Sequence, residues 1–128
     1  MLKKIYVSFL FLFLASFLSA SPLHAQSAPN IAGNYRAVGT NPGNSGRYQG
    51  TASIVKEGDT YRVHWSVGTT YDGIGTLKGE SFTVEWGTPT NHIGTVNYVV
   101  QSDGSMKGTW YTAKAPNSLG TEILTPVK

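Results

Sequence analysis

Gly58-Asp59-Thr60-Tyr61-Arg62-Val63-His64-Trp65 and Gly79-Glu80-Ser81-Phe82-Thr83-Val84-Glu85-Trp86 are two copies of one pattern: glycine, acid, hydroxyl, aromatic, any residue, valine, any residue, tryptophan. Within each copy the apolar side chains recur every second residue, which is the period of a half-buried antiparallel strand. The glycine-acid pair that opens each copy is turn chemistry. Asp103-Gly104-Ser105-Met106-Lys107-Gly108-Thr109-Trp110 echoes the pattern in a shifted register. A repeat spaced about one hairpin apart is the signature of a β-meander.

Working outward, turn signals are dense. Asn41-Pro42-Gly43-Asn44-Ser45-Gly46, Gly87-Thr88-Pro89 and Lys114-Ala115-Pro116-Asn117 break the chain as the glycine-acid pairs do. No interval between them accommodates a helical apolar stripe, so helix is limited to a single turn. Eight strands are predicted, at about 33–40, 47–57, 60–67, 71–78, 81–87, 92–101, 105–112 and 119–126. Gly-Thr pairs begin at Gly39, Gly50, Gly68, Gly75, Gly87, Gly94, Gly108 and Gly120. Several of these fall inside strands, where glycine permits a bulge or a sharp bend. The prediction is an all-β, eight-stranded antiparallel up-and-down meander forming a small closed or nearly closed barrel, its interior filled by large side chains facing small ones.

The chain begins with Met1-Leu2-Lys3-Lys4, continues through an almost wholly apolar stretch over residues 5–18, and reaches small residues and a proline before Gln26. This is the plan of a signal peptide spanning residues 1–25, with cleavage expected after Ala25 and Ala20 as the alternative. The apolar run is shorter than the roughly 20 residues of a membrane-spanning helix. Residues 26–32 read as a short linker and 33–128 as one domain. Periplasmic or extracellular localisation follows, with no transmembrane span in the mature chain. Several predicted strands are also shorter than the roughly 9–11 residues of a membrane barrel.

Without Lys3 and Lys4, eight basic residues face seven acidic ones, so the net charge drops from +3 to about +1. No basic run remains to hold phosphates, and nucleic acid is not an expected partner. There is no cysteine, so neither a disulfide nor a lipidated N-terminal cysteine can stabilise or anchor the domain.

Chemistry-bearing residues are sparse. His64 and His92 lie near acidic residues, but their spacing has no metal-ligand signature, and both read as surface histidines. Asp72, Glu85, Asp103 and Glu122 are the candidates for acid–base work; Asp103 reads as a turn residue and Glu85 as outward. For Glu122, in Gly120-Thr121-Glu122-Ile123-Leu124, the alternation does not choose a direction. An outward carboxylate is the plainer expectation, and a buried one would need partners such as Arg36 or Arg47. No catalytic residue, metal or cofactor is predicted. Aromatics are the strongest lead, because tyrosine and tryptophan carry polar atoms that suit a pocket as well as a core. Trp65 and Trp86 share a strand face with Val63 and Val84, which favours core. If the interior is hollow, Trp65, Trp86, Trp110 and Glu122 are the candidate ligand contacts.

Gly33-Asn34-Tyr35, Gly39-Thr40-Asn41-Pro42, Tyr48-Gln49-Gly50, Gly73-Ile74-Gly75, Gly94-Thr95-Val96-Asn97-Tyr98 and Gly120-Thr121-Glu122-Ile123-Leu124-Thr125-Pro126, together with the repeats, resemble a group of small exported bacterial glycine- and aromatic-rich β-proteins. Their function is uncharacterised, and they are sometimes labelled fibronectin-binding protein. The resemblance covers nearly all of 33–126 and implies a fold without implying site residues. A fainter likeness to avidin-type barrels rests on Gly108-Thr109-Trp110-Tyr111. The expected function is a non-enzymatic binding or interaction module whose partner is a protein or glycan outside the cytoplasm. A carrier of a small ligand is the alternative and would require an interior cavity of roughly 300 Å3 or more. An enzyme ranks third.

Overall fold

A computed structural model describes residues 28–128 of the chain; the predicted leader over 1–25 and the first two residues of the linker lie outside the described residues. Eight strands follow one another: β1 (Gly33–Thr40), β2 (Arg47–Glu57), β3 (Thr60–Ser66), β4 (Thr70–Lys78), β5 (Ser81–Thr88), β6 (Asn91–Val100), β7 (Met106–Thr112) and β8 (Ala115–Pro126). Each pairs antiparallel with the next, and β8 pairs with β1 to close an up-and-down barrel. The predicted architecture is the observed one, with closure complete. The loops between β2 and β3 and between β4 and β5 are only two residues long, and each begins with a glycine at positive φ, Gly58 (63°) and Gly79 (61°). Among the described residues the one helical piece is a 3-10 turn, Pro42–Asn44, between β1 and β2.

One boundary departs clearly from expectation. Lys114-Ala115-Pro116-Asn117 is not a turn: the chain reverses two residues earlier, and β8 starts at Ala115. Thr112 pairs with Ala115 and Trp110 with Gly120, with the register shifting between them. Pro116 lies in that irregular stretch, so its missing N–H removes no ladder bond.

Inside the barrel the two ends differ. At the end where β1 begins, Ile54, Val63, Phe82, Met106 and Leu124 are fully buried. Phe82 packs edge-on against Tyr61 at 5.6 Å and stacks with Tyr98 at 6.0 Å. Each such side chain contributes about 1.5–3 kcal/mol relative to exposure. Ile31 closes this end: it is buried, and its carbonyl accepts a hydrogen bond from the Tyr35 hydroxyl at 2.7 Å. Part of the predicted linker is therefore packed structure. Outward positions carry Arg62, His64, Thr83, Glu85, Asn97 and Lys107, all exposed. They share the outer face with exposed Val55, Ile74, Val99 and Ile123.

Candidate ligand-binding site

At the opposite end the alternation that builds the core continues, and the interior does not fill. Tyr48 on β2, Trp65 on β3, Tyr71 on β4, Trp86 on β5, Trp110 on β7 and Glu122 on β8 surround an open cavity of about 260 Å3, with Asn41, Val67 and Thr69 near its rim and Val96 and Tyr98 deeper. The volume is below the roughly 300 Å3 expected above of a small-ligand carrier, which is the lower end of sites for drug-sized ligands, so that expectation is not met and the space suits only a more compact occupant.

The rings form a chain of edge-to-face contacts. Tyr71 meets Trp86 at 5.2 Å, Trp86 meets Trp110 at 5.6 Å, and Trp110 meets Tyr48 at 6.3 Å. Such pairs contribute about 0.5–1.5 kcal/mol each beyond their area, and Tyr71, Trp86 and Trp110 also pack against the core. Glycine gives them room on the wall. A Cβ on Gly120 would stand 2.6 Å from Cε2 of Trp110, and one on Gly39 would collide with the Tyr48 ring. Trp86 and Trp110 also sit beside the register shifts of β5 with β6 and of β7 with β8; bulges of this kind re-aim side chains next to functional sites.

Glu122 corrects the plainer expectation. It points inward and is 5 % exposed. Glu122 lies opposite Gly39 on β1 and Gly108 on β7, and those glycines leave room for the rings of Tyr48 and Tyr98, which reach its carboxylate. Neither Arg36 nor Arg47 approaches it; both are exposed. Its partners are neutral donors. The Tyr48 hydroxyl donates to Oε1 at 2.9 Å, the Trp65 indole N–H donates to Oε2 at 3.0 Å, and the Tyr98 hydroxyl makes a very short hydrogen bond to Oε2. Burial pushes the carboxyl pKa above its ordinary value, while the donated hydrogen bonds of Tyr98, Tyr48 and Trp65 oppose that shift. Both tyrosines are pushed up strongly, by burial first and then by the nearby carboxylate. They remain protonated donors across the physiological range.

The tryptophans divide. Trp65 is 5 % exposed and structural on one edge; its indole N–H also holds the carboxylate. Trp86, expected in the core beside Val84, is only half-buried because its strand has passed above the packed layer. Trp110 faces inward as well and donates to the Thr121 carbonyl at 3.3 Å. Sequence reasoning did not single out Tyr48, Tyr71 or Tyr98. The period of two contains the signal: Tyr48, Gly50, Ala52 and Ile54 share one face of β2, and Tyr71, Gly73, Gly75 and Leu77 share one face of β4.

The remaining candidates lie elsewhere. His64 pairs with Asp72 at 2.9 Å and His92 with Glu85 at 2.8 Å, both on the outer surface. Among the described residues no three acidic or histidine side chains converge as metal ligands. Asp103 occupies its expected turn and accepts hydrogen bonds from the Ser105 hydroxyl and backbone N–H, which lower its pKa.

No family model matches the chain, and no curated protein matches it. Function is therefore read from the cavity.

Proposed function

We propose that the mature protein is an exported, non-enzymatic binder of a small ligand, held in the open half of the barrel. The cavity carries this reading: an eight-stranded barrel is just wide enough to be filled by side chains or to hold one small ligand, and here about 260 Å3 at one end is open. Aromatic walls with few polar groups, one of them buried and fully hydrogen-bonded, are the usual composition of such a site. Non-enzymatic action is supported by the same groups. The oxygens of Glu122 are engaged by Tyr48, Trp65 and Tyr98, and no serine, cysteine, lysine or histidine joins it in the cavity lining. Export rests on the leader-like first 25 residues.

The test is a screen of small neutral, cationic and saccharide compounds, read by tryptophan emission and by the indole N–H resonances. Binders should shift Trp86 and Trp110, and Val67→Trp, which adds bulk at the rim, should abolish those shifts without lowering the thermal midpoint by more than a few degrees. A screen in which no compound shifts them, or in which Val67→Trp binds as wild type does, ends this reading.

A further inference from the structure

The cavity has one chemical imbalance. Glu122 is buried at its inner end, and every group that contacts the carboxylate is neutral: Tyr48 from β2, Trp65 from β3 and Tyr98 from β6. Its neighbours on β1 and β7 are Gly39 and Gly108. No lysine, arginine or histidine lines the space. A buried carboxylate is ordinarily paired with a cation, and one that is not leaves its charge for something else to balance. The groups between it and solvent are the rings of Tyr71, Trp86 and Trp110, whose electron-rich faces attract cations and weaken the binding of anions.

We propose that the cup takes a small alkylated ammonium ion, a quaternary or tertiary amine, with its charged head among the aromatic rings and Glu122 as counter-charge. This rests on the small-ligand reading above. Alkylated nitrogen is favoured over a primary amine or a guanidinium by counting acceptors. An ionised carboxylate offers about four lone-pair sites, and three are already occupied by the tyrosines and Trp65. The Thr121 carbonyl already accepts from Trp110. Beyond the one free carboxylate site the lining offers acceptors on Asn41, Thr69 and Tyr71, so a head group with three or five N–H donors must reach across the cavity to satisfy them, and each donor left unsatisfied weighs against binding. A methylated head has none to satisfy or only one, and it spreads its charge over a surface that suits aromatic contact. The modest volume, about 260 Å3, fits a compact ion of this class.

Choline and 3,3-dimethyl-1-butanol have the same shape and differ in charge, so titrating both while following the indole resonances isolates the electrostatic part. Choline should bind about tenfold or more tightly than the alcohol, in line with cation–aromatic attraction in a desolvated site. Glu122→Gln should erase most of that preference. In wild-type protein, choline affinity should fall as the pH drops through the titration of Glu122, because the cation selects the ionised carboxylate; Tyr48 and Tyr98 stay protonated throughout. Equal or tighter binding of the alcohol overturns the inference and leaves the small-ligand reading intact. Absence of any shift with both free choline and phosphatidylcholine vesicles also overturns it, and the wider screen then decides the small-ligand reading separately. If Glu122→Gln does not fold, the pH series stands alone, and a pH-independent choline affinity sinks the proposal. Phosphatidylcholine vesicles form the last arm. Binding to free choline identifies a soluble amine, and binding to vesicles alone identifies the same head group carried on a lipid.

Discussion

The two halves of this barrel are built from the same eight strands with the same inward–outward alternation, yet one is a packed core and the other a cup. The difference does not come from using smaller residues, since the open half holds three tryptophans and two tyrosines. It comes from where the bulk is placed. In the packed half, Phe82, Tyr61 and Tyr98 meet in the lumen. Glycine seats rings in both halves: Phe82 and Tyr98 lie over Gly75 and Gly108 as closely as Trp110 and Tyr48 lie over Gly120 and Gly39. The halves differ in what the rings meet next, since Phe82 stacks on Tyr98 and packs against Tyr61, whereas Tyr48, Trp110, Trp86 and Tyr71 touch edge to face around an open space.

The sharpest way to break this comparison is to truncate one ring in each half. Phe82→Ala removes a fully buried side chain and should cost about 3–5 kcal/mol, close to the whole stability of a domain with about 5–10 kcal/mol. Trp86→Ala removes a half-buried ring that borders open space, and should cost about 1–2 kcal/mol, since no closed cavity is left behind. Urea unfolding of both variants measures the difference. Equal losses would mean that the cup is part of the core and that its opening is incidental.

The fold was legible beforehand; the contrast between its halves was not, and that has a physical reason. Strand number, pairing order and closure followed from the period of two and the spacing of turns. The burial of Trp65 and Val63 followed from their shared face. Height along the barrel was not legible: Trp86 occupies in its repeat the place that Trp65 occupies in the other, yet Trp65 is buried at the inner end of the cup against Glu122 and Trp86 is half-buried at its mouth. Glu122 was ambiguous for a related reason. Burying a carboxylate is costly unless donors surround it, and those donors, Tyr48, Trp65 and Tyr98, come from three strands distant in sequence. Local alternation carries no record of such a cluster.

A milder variant sharpens the claim about the wall. Gly120→Val places a branched side chain where a single Cβ would already stand 2.6 Å from the Trp110 ring and 2.6 Å from the Thr40 carbonyl. Overpacking of this kind costs about 1–3 kcal/mol. The loss should be accompanied by rotation of Trp110 into the cup, visible as a shift of its indole resonance and a reduced response to any bound ligand. Loss of stability with an unmoved Trp110 resonance would show that the glycine serves the strand backbone and not the ring.

The smallest effect concerns pH, and it separates the halves by charge. The packed half holds no buried ionisable acid among the described residues, whereas the cup holds Glu122. Burial raises the Glu122 pKa in the folded state above its value in the unfolded chain, so between those two values the native protein binds the proton that the unfolded chain has released. Stability from this group is therefore fully present below the unfolded pKa and is lost as pH rises through the folded one. Asp103 acts in the opposite sense: its folded pKa is lowered by Ser105, so its contribution is present above the ordinary carboxylate range and lost as pH falls. The raw pH profile mixes the two, and the informative quantity is the difference between wild type and Glu122→Gln. With the titrating carboxyl removed, that difference should tilt toward the variant as pH rises from the acid range to neutrality, when thermal midpoints are compared in ligand-free buffer. Asp103 is common to both proteins and cancels. A difference that stays flat across the range would mean that the hydrogen bonds from Tyr48, Tyr98 and Trp65 fully offset burial, and that the cup is electrostatically as quiet as the core beneath it.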